Sequence, residues 1–311
     1  MYLFSNILGV FVFNEEFKII DELLFKNLED CKNKDKLVEK IKSIHKNIEV
    51  PDEETLKRIL LHFKNSRFFN DFYSKNLALT KHDLKNSVSA DTLLMNAVNS
   101  VDEIDKAISI LVRRLREWYE LYNPEFSVST ANHEEFVKEI LEKEKSELLR
   151  ELKIEVGDSI GAVLKQEDLE PIRKLTRQIN NLYELRKNNT EYISTLMDGL
   201  CPNTKAICGA YLGAKLIEHA GSFKRLSEMP ASTIQILGAE KALFRHLKTG
   251  AKPPRHGLIV NHLLIANAPD SMHGKIARAL ADKIAIASKV DYFKGNFIGD
   301  KLIKELEQKF A

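Results

Sequence analysis

The chain has 311 residues, 44% of them hydrophobic and 30% charged, with a formal net charge of +2. These are ordinary proportions for a globular protein of about two domains, and no apolar run approaches the roughly 18 residues of a membrane span. The three cysteines, Cys31, Cys201 and Cys208, lack CxxC spacing, which argues against a zinc site and for a reducing, cytoplasmic setting. Charge is unevenly spread. Residues 198–311 carry 17 Lys+Arg against 10 Asp+Glu, an excess of seven positive charges, while the remainder, with 30 against 35, is five negative. A basic end on a near-neutral chain points to a polyanion contact confined to that end, or to a solvated surface with an incidental bias.

The apolar start, MYLFSNILGVFVF, has neither a basic n-region nor a small-residue cleavage site, so it reads as a strand and not as a signal peptide. Residues 2–13 are rich in β-branched and aromatic side chains. Segments 17–28 and 35–48 look helical, with apolar residues recurring at three and four. Pro51 followed by Asp52, Glu53 and Glu54 marks a helix start, with Leu56, Ile59, Leu60 and Phe63 on one face. The first 90 residues are expected to form a small α/β domain without a catalytic constellation.

In the middle, Val101, Ile104, Ile108, Leu111, Leu115, Trp118 and Tyr122 step by alternating three and four, an a/d seam over three heptads that Pro124 ends. A second seam, Leu149, Leu152 and Val156, loses phase at Gly157 and Gly161. A third runs through Ile172, Leu175, Ile179 and Leu182 and resumes at Ile193 and Leu196, with Asp168 as its expected N-cap and Pro171 in the first turn. The glycines and the polar run 165–168 suggest the tip of a long antiparallel helical hairpin. The alternative is an ordinary bundle within a globular domain. A charged-faced arm of this length serves as a spacer or a pairing device.

The last segment is expected to be helical. Gly209-x-x-x-Gly213, with Ala210 and Ala214, permits close helix packing. Ser232 and Thr233 are candidate caps, Gly238 interrupts the chain, and Pro253-Pro254 ends a helix carrying Lys241, Arg245 and Lys248. A further amphipathic helix follows from Asp282 onward. The fold class read from these elements is α+β: a small N-terminal α/β domain (1–90), an antiparallel coiled-coil arm (91–197) and an all-helical C-terminal domain (198–311).

Between Lys241 and Arg255 there are five basic residues (Lys241, Arg245, Lys248, Lys252, Arg255) and no acid. The first three are spaced four and three and share one helix face, which suits a run of phosphates whose neutralisation releases counterions. Lys252 and Arg255 flank a rigid Pro-Pro turn, His256 offers a plane able to stack on an unpaired base, and Gln235 could read a base edge. Equally, the same segment fits a solvated basic helix with Leu237, Ala242 and Leu243 facing the core. Enzyme signatures are missing: there is no GxGxxG, P-loop or GxSxG. His256 and His262 are six apart, unlike an HExxH pair, and His219 beside Ala220-Gly221 fits a helix end better than a base.

Three segments carry a family resemblance. Arg116-Glu117-Trp118-Tyr119 with Asn123-Pro124-Glu125 resembles the signature ending the first coiled-coil helix of Nop-domain proteins. Leu216-Ile217-Glu218-His219-Ala220-Gly221-Ser222 resembles their LIxHAGS run, and 230–245, with its Gly238-Ala239-Glu240-Lys241 core, is similar to the GAEK-containing Nop signature. Two departures are Cys201-Pro202-Asn203-Thr204, where Ala-Pro-Asn-Leu is frequent, and His262-Leu263, where His-Pro is frequent. The resemblance spans about 90–260 and, in general layout only, the N-terminal domain. It implies a non-catalytic scaffold of box C/D RNA-guided 2′-O-methylation of ribosomal and transfer RNA, with no cofactor of its own. The implied partners are the methyltransferase fibrillarin, which uses S-adenosylmethionine, a ribosomal-type kink-turn-binding protein, the guide RNA and a second copy of the chain. The lack of a lysine-rich tail points to an archaeal member.

On this reading the RNA contact comprises Gln235, Gly238, Ala239, Glu240, Lys241, Arg245, Lys248, Lys252, Arg255 and His256. The pairing seam comprises Val101, Ile104, Ile108, Leu111, Leu115, Ile172, Leu175, Ile179 and Leu182. Other readings are a Nop-domain scaffold of a splicing particle, a purely structural coiled-coil adaptor, or a methyltransferase, which would need a Gly-rich nucleotide-binding turn that the chain lacks.

Overall fold

The computed structural model describes residues 1–45 and 48–310. They form two compact units, Met1–Ser89 and Ala90–Ala311.

The first unit is built on a three-stranded antiparallel sheet in the order β1 (Tyr2–Ser5), β2 (Gly9–Phe13), β3 (Ile19–Leu24). An Asx turn, in which Leu8 N–H donates to Asn6 Oδ1 at 2.8 Å, breaks the apolar start into two strands. Central β2 is buried on both faces. Phe11 and Phe13 pack with Leu8, Ile59 and Phe68, whereas Val10 and Val12 pack with Phe25 and Ile41. The helices α1 (Leu28–Lys32), α2 (Lys34–Ile44), α3 (Glu53–His62) and α4 (Ser66–Asn86) follow. Asp52 caps α3 as expected, accepting from Thr55 N–H at 2.9 Å, although Leu60 on its apolar face stays exposed. Segment 17–28 is not helical. Phe17 sits at φ +61°, outside a right-handed helix, and residues 19–24 pair with β2. The apolar spacing there fits a helix, but the central strand needs a second hydrogen-bonding neighbour. The end of the expected helix over 35–48 includes residues 46 and 47, which lie outside the described residues.

The second unit opens with α5 (Ala90–Glu120), and its long partner is α9 (Gln166–Leu200). Asn189 Nδ2 donates to Ser100 Oγ at 3.2 Å and Arg186 pairs with Asp105 at 2.8 Å, so the two run antiparallel. Ile104, Ile108, Val112, Leu115 and Tyr119 meet Ile172 and Ile179. After Ile108 the buried line keeps Leu115 but departs from the expected heptad at two places: Val112 and Tyr119 are buried, whereas Leu111 is only half-buried and Trp118 is 38% exposed. A straight helix drifts about 20° per heptad against a 3.5-residue repeat, and side packing at the tip takes up the drift. The expected pairing seam (Val101 through Leu115, Ile172 through Leu182) is thus consumed within one chain, and a second copy would have to use other faces. Helix α9 begins after Lys165; Asp168 lies inside its first turn with Glu167, where carboxylates favour the helix N-terminus.

The tip is more than a turn. It contains α6 (Pro124–Ser129), α7 (His133–Glu142) and α8 (Lys145–Glu151). Arg116 ties the first two of them to α5. Its Nη1 donates to Ser127 O at 2.8 Å, Nη2 to Thr130 O at 2.6 Å and Nε to His133 Nδ1 at 2.9 Å, with the guanidinium 4.2 Å from the Phe136 ring centroid. Gly161 is required here, since a Cβ would stand 2.1 Å from Tyr122 O.

The C-terminal helices are α10 (Pro202–Cys208), α11 (Ala210–Ala220), α12 (Phe223–Glu228), α13 (Ala231–Ile236), α14 (Glu240–Thr249), α15 (Leu263–Ala266), α16 (Asp270–Tyr292) and α17 (Gly299–Phe310). Helix α16 starts twelve residues before the expected Asp282, behind Pro269. Gly213 lets α11 approach α9, a Cβ there lying 2.6 Å from Met197 Cε. Leu94, Val98 and Val101 of α5 and Ile193 and Met197 of α9 belong to the same core as Leu216, Ile234 and Leu280. The division expected at 197/198 therefore falls inside α9, where the arm's two helices enter the helical core. Asp102 receives the Tyr211 hydroxyl and pairs with Lys215 at 3.0 Å, tying α5 to α11.

Buried Asp291 accepts four hydrogen bonds, from Asn203 N and Nδ2 (3.0 and 2.7 Å) and from Thr204 N and Oγ1 (2.8 Å each), and so joins α16 to the start of α10. Removing it strands buried donors. Asp291→Ala is expected to lower the stability of the second unit by about 3 kcal/mol, read as a lower urea midpoint at unchanged m-value. His262 caps α15: its Nδ1 accepts from Leu264 N–H at 3.2 Å and its Nε2–H donates to Ile207 O at 2.8 Å. Burial pushes its imidazole below the ordinary 6.5, and the Ile207 carbonyl offsets part of that. The folded state favours the neutral ring. Its contribution is complete above the unfolded value and is lost as pH falls through the folded one. Stability should fall as pH drops below about 6.5, with a shallower slope in His262→Asn, measured by urea titration across pH.

Candidate nucleic-acid interface

The segment from Pro230 to Gly257 is an excursion closed at its base. Pro230 starts α13, and Thr233 N–H donates to Pro230 O at 2.9 Å; Ser232 and Thr233 lie within the first turn and cap nothing. Gly238, at φ +85°, turns the chain out, with the Leu258 side chain filling the space a Cβ would take. Glu240 Oε1 accepts the Gly238 N–H at 2.7 Å and so secures the start of α14. Gly250, left-handed at φ +67°, ends α14 before Pro253-Pro254 is reached. The returning chain is then stapled. Gly257 N–H donates to Gln235 O and Leu258 N–H to Leu237 O, each at 2.8 Å, and Gln235 Nε2 donates to Arg255 O at 2.7 Å. Gly257 has no room for a side chain, since a Cβ would lie 2.0 Å from Leu237 O.

Helix α14 carries no buried residue. Lys241, Arg245 and Lys248 are exposed on its one face, and Lys252 is exposed beyond its end. Among the described residues no carboxylate lies within ion-pair distance of these four. Phe244 and Leu247, 60% and 69% exposed, stand next to the cations, so the helix offers an apolar strip beside a basic one. Ala242 and Leu243 are half-buried.

Several of the expected contact residues are engaged within the protein. The Gln235 amide clamps the returning backbone. Arg255 Nη1 pairs with Asp270 Oδ2 at 2.8 Å. His256 is half-buried with its ring 5.7 Å from that of His273, and burial first, then His273 and Arg255, lowers its imidazole below the usual value. Glu240 and Gly238 shape the turn, with Ala239 between them half-buried. Asp270 and His273 went unnoticed in sequence because they lie on α16, 15 or more residues downstream.

Elsewhere, His219 lies at the end of α11 paired with Glu218 at 2.5 Å, before left-handed Gly221. Burial pushes the Cys208 thiol up to about 12 and raises that of Cys201, whose Sγ lies 3.3 Å from Met197 Sδ. Among the described residues, no group of three or more His, Cys, Asp or Glu is placed to hold a metal ion, and no helix is long and apolar enough to cross a membrane.

Residues 100–311 match the family model described as "Nop: snoRNA binding domain, fibrillarin". The chain belongs to the Nop family. An uncharacterized NOP5 family protein of Methanocaldococcus jannaschii is 41% identical over 246 residues, 74% of this chain and 59% of the relative. Nucleolar protein 58 of Schizosaccharomyces pombe is 38% identical over 229 residues, 69% of this chain and 45% of its own. The Nop chain thus spans less than two thirds of these curated relatives. A chain from the crystal structure of a fibrillarin/Nop5p complex aligns over 99% of this chain and 98% of its own, with a TM-score of 0.47 and 23% identity. The matched Nop region includes the arm helices from residue 100 as well as the excursion.

The closure of the excursion is testable. In Gly257→Ala the staple must open, and the amides of residues 257 and Leu258 should exchange about tenfold faster or more while α16 keeps its protection, read by hydrogen exchange.

Proposed function

We propose that the chain is the non-catalytic RNA-binding scaffold of an archaeal box C/D ribonucleoprotein that guides 2′-O-methylation of ribosomal and transfer RNA. The observation that carries this reading is the row Lys241, Arg245 and Lys248 on an unburied, stapled helix. Three cations without carboxylate partners, spaced along one face, match a run of phosphates. Phe244 and Leu247 beside them give the same helix a protein-binding strip, suited to a composite of guide RNA and a kink-turn-binding protein. The α5–α9 arm supports the spacer role. Its root shares the core with α11, α13 and α16, so the distance between RNA grip and arm tip is set by continuous helix.

In this scheme fibrillarin sits on the N-terminal unit and brings S-adenosylmethionine chemistry, and the scaffold contributes by positioning. The family description and the fibrillarin/Nop5p neighbour both name that partner. A second copy would pair through the outer surfaces of the arm, where Leu121, Val128, Ile160 and Val163 are exposed near its tip. The particle would work in the cytoplasm of an archaeal cell.

Lys241→Ala/Arg245→Ala/Lys248→Ala should weaken binding to a kink-turn RNA preloaded with the kink-turn-binding protein by roughly tenfold or more. The log Kd against log salt slope should fall by about 2 to 3, one counterion per phosphate lost. Fluorescence anisotropy across a salt series measures both, and an unchanged slope refutes the assignment of this face.

A further inference from the structure

Of the five basic residues between 241 and 255, four face no carboxylate among the described residues and Arg255 faces one. Arg255 Nη1 donates to Asp270 Oδ2 at 2.8 Å and to Asp270 O at 3.2 Å. The second carboxylate oxygen, Oδ1, lies 3.8 Å from His273 Nδ1, and His273 Nε2 reaches Ala268 O at 2.9 Å. Arg255 and Asp270 are both largely exposed, and they are joined through a single guanidinium nitrogen. A pair of that kind is weak and solvent-screened. Two-point engagement of the planar fork, as a phosphate provides, is stronger.

The backbone around Arg255 is fixed independently of this pair, because Gln235 Nε2 holds Arg255 O and Gln235 O holds Gly257 N–H. Exchange of the guanidinium between partners is therefore a side-chain rotation on a fixed Cα, with no change of fold. Asp270 opens α16, where a carboxylate favours the helix N-terminus, so the acid keeps a stabilising position whether or not Arg255 contacts it.

We infer that Asp270 is a negative determinant of RNA affinity: it holds Arg255 in a weak ion pair that a phosphate must displace before the guanidinium can bind RNA. The inference rests on the RNA reading above. It makes the excursion a grip with four cations permanently available and a fifth released only by a phosphate that arrives in register. A misplaced RNA leaves Arg255 on Asp270 and so meets a smaller positive surface, which makes Asp270 favour correctly seated RNA over non-specific polyanion.

Asp270→Asn keeps the side-chain size and removes the charge. With the full chain and the same preloaded kink-turn RNA, Asp270→Asn should bind about two- to fivefold tighter at moderate salt. Its gain should be larger for an unstructured single-stranded RNA competitor, so that the specificity ratio falls. In an Arg255→Gln background the gain should vanish. Asp282→Asn, an exposed acid on the same helix and roughly 18 Å further along it, should change nothing. Thermal melting of each variant verifies folding. Weaker binding by Asp270→Asn would overturn the proposal and make Asp270 a positioning partner of Arg255. A gain that persists without Arg255, or one matched by Asp282→Asn, would also overturn it and leave only long-range repulsion. If the Lys241/Arg245/Lys248 triple variant binds with unchanged salt slope, it is the RNA assignment that fails.

Discussion

Helices α5 and α9 hold each other through Ile104, Ile108 and Leu115 on one side and Ile172 and Ile179 on the other, and the same two helices continue into the C-terminal core as Leu94, Val98, Ile193 and Met197. Two cores share one uninterrupted helix pair. A hinge needs residues that can absorb backbone rotation, and here the polar ties Asp105–Arg186, Ser100–Asn189 and Asp102 to Tyr211 and Lys215 cross the region where one would lie. The arm is a lever fixed at its root. Any partner held at its tip has its position set relative to α14 by hydrogen-bonded helix and not by linker statistics.

Helix α14 is held by the opposite logic. Ten residues are too few for a stable helix in water, and this one buries none of its side chains. It persists because its ends are closed: Glu240 on Gly238 N–H at the start, left-handed Gly250 and the His246–Ala251 contact at the finish, and the 235–237 to 257–258 staple beneath. Its exposed cations consequently make no demand on the packing of the fold. Lys241, Arg245 and Lys248 can be optimised for a polyanion without disturbing the core.

Periodicity made the long hairpin legible, because Val101 to Leu115 and Ile172 to Leu182 face each other over many turns. It misplaced two seam positions, Leu111 and Trp118, where α6 to α8 cover the helix from the side and Val112 and Tyr119 are buried instead. Those tip helices carry no long apolar repeat: they are short, and α6 and α7 are held by one polar side chain, Arg116, whose partners are mostly backbone carbonyls. Segment 17–28 misled for a different reason: Ile19 and Leu23 are spaced as in a helix, and only long-range pairing with Gly9 to Phe13 decides for strand. At the candidate interface the basic helix face was readable from spacing, and the family resemblance singled out the segment. Neither could reveal that Gln235 and Arg255 are already engaged, since those contacts are made by residues up to 20 positions apart that share no motif.

The staple has a consequence for how this domain can diverge. Because residues 235–237 and 257–258 lie side by side, everything between them leaves and re-enters the domain at one point. The core then senses only the two ends of the excursion. Its length, helix content and charge can be exchanged as a cassette while the helical core and the arm stay as they are.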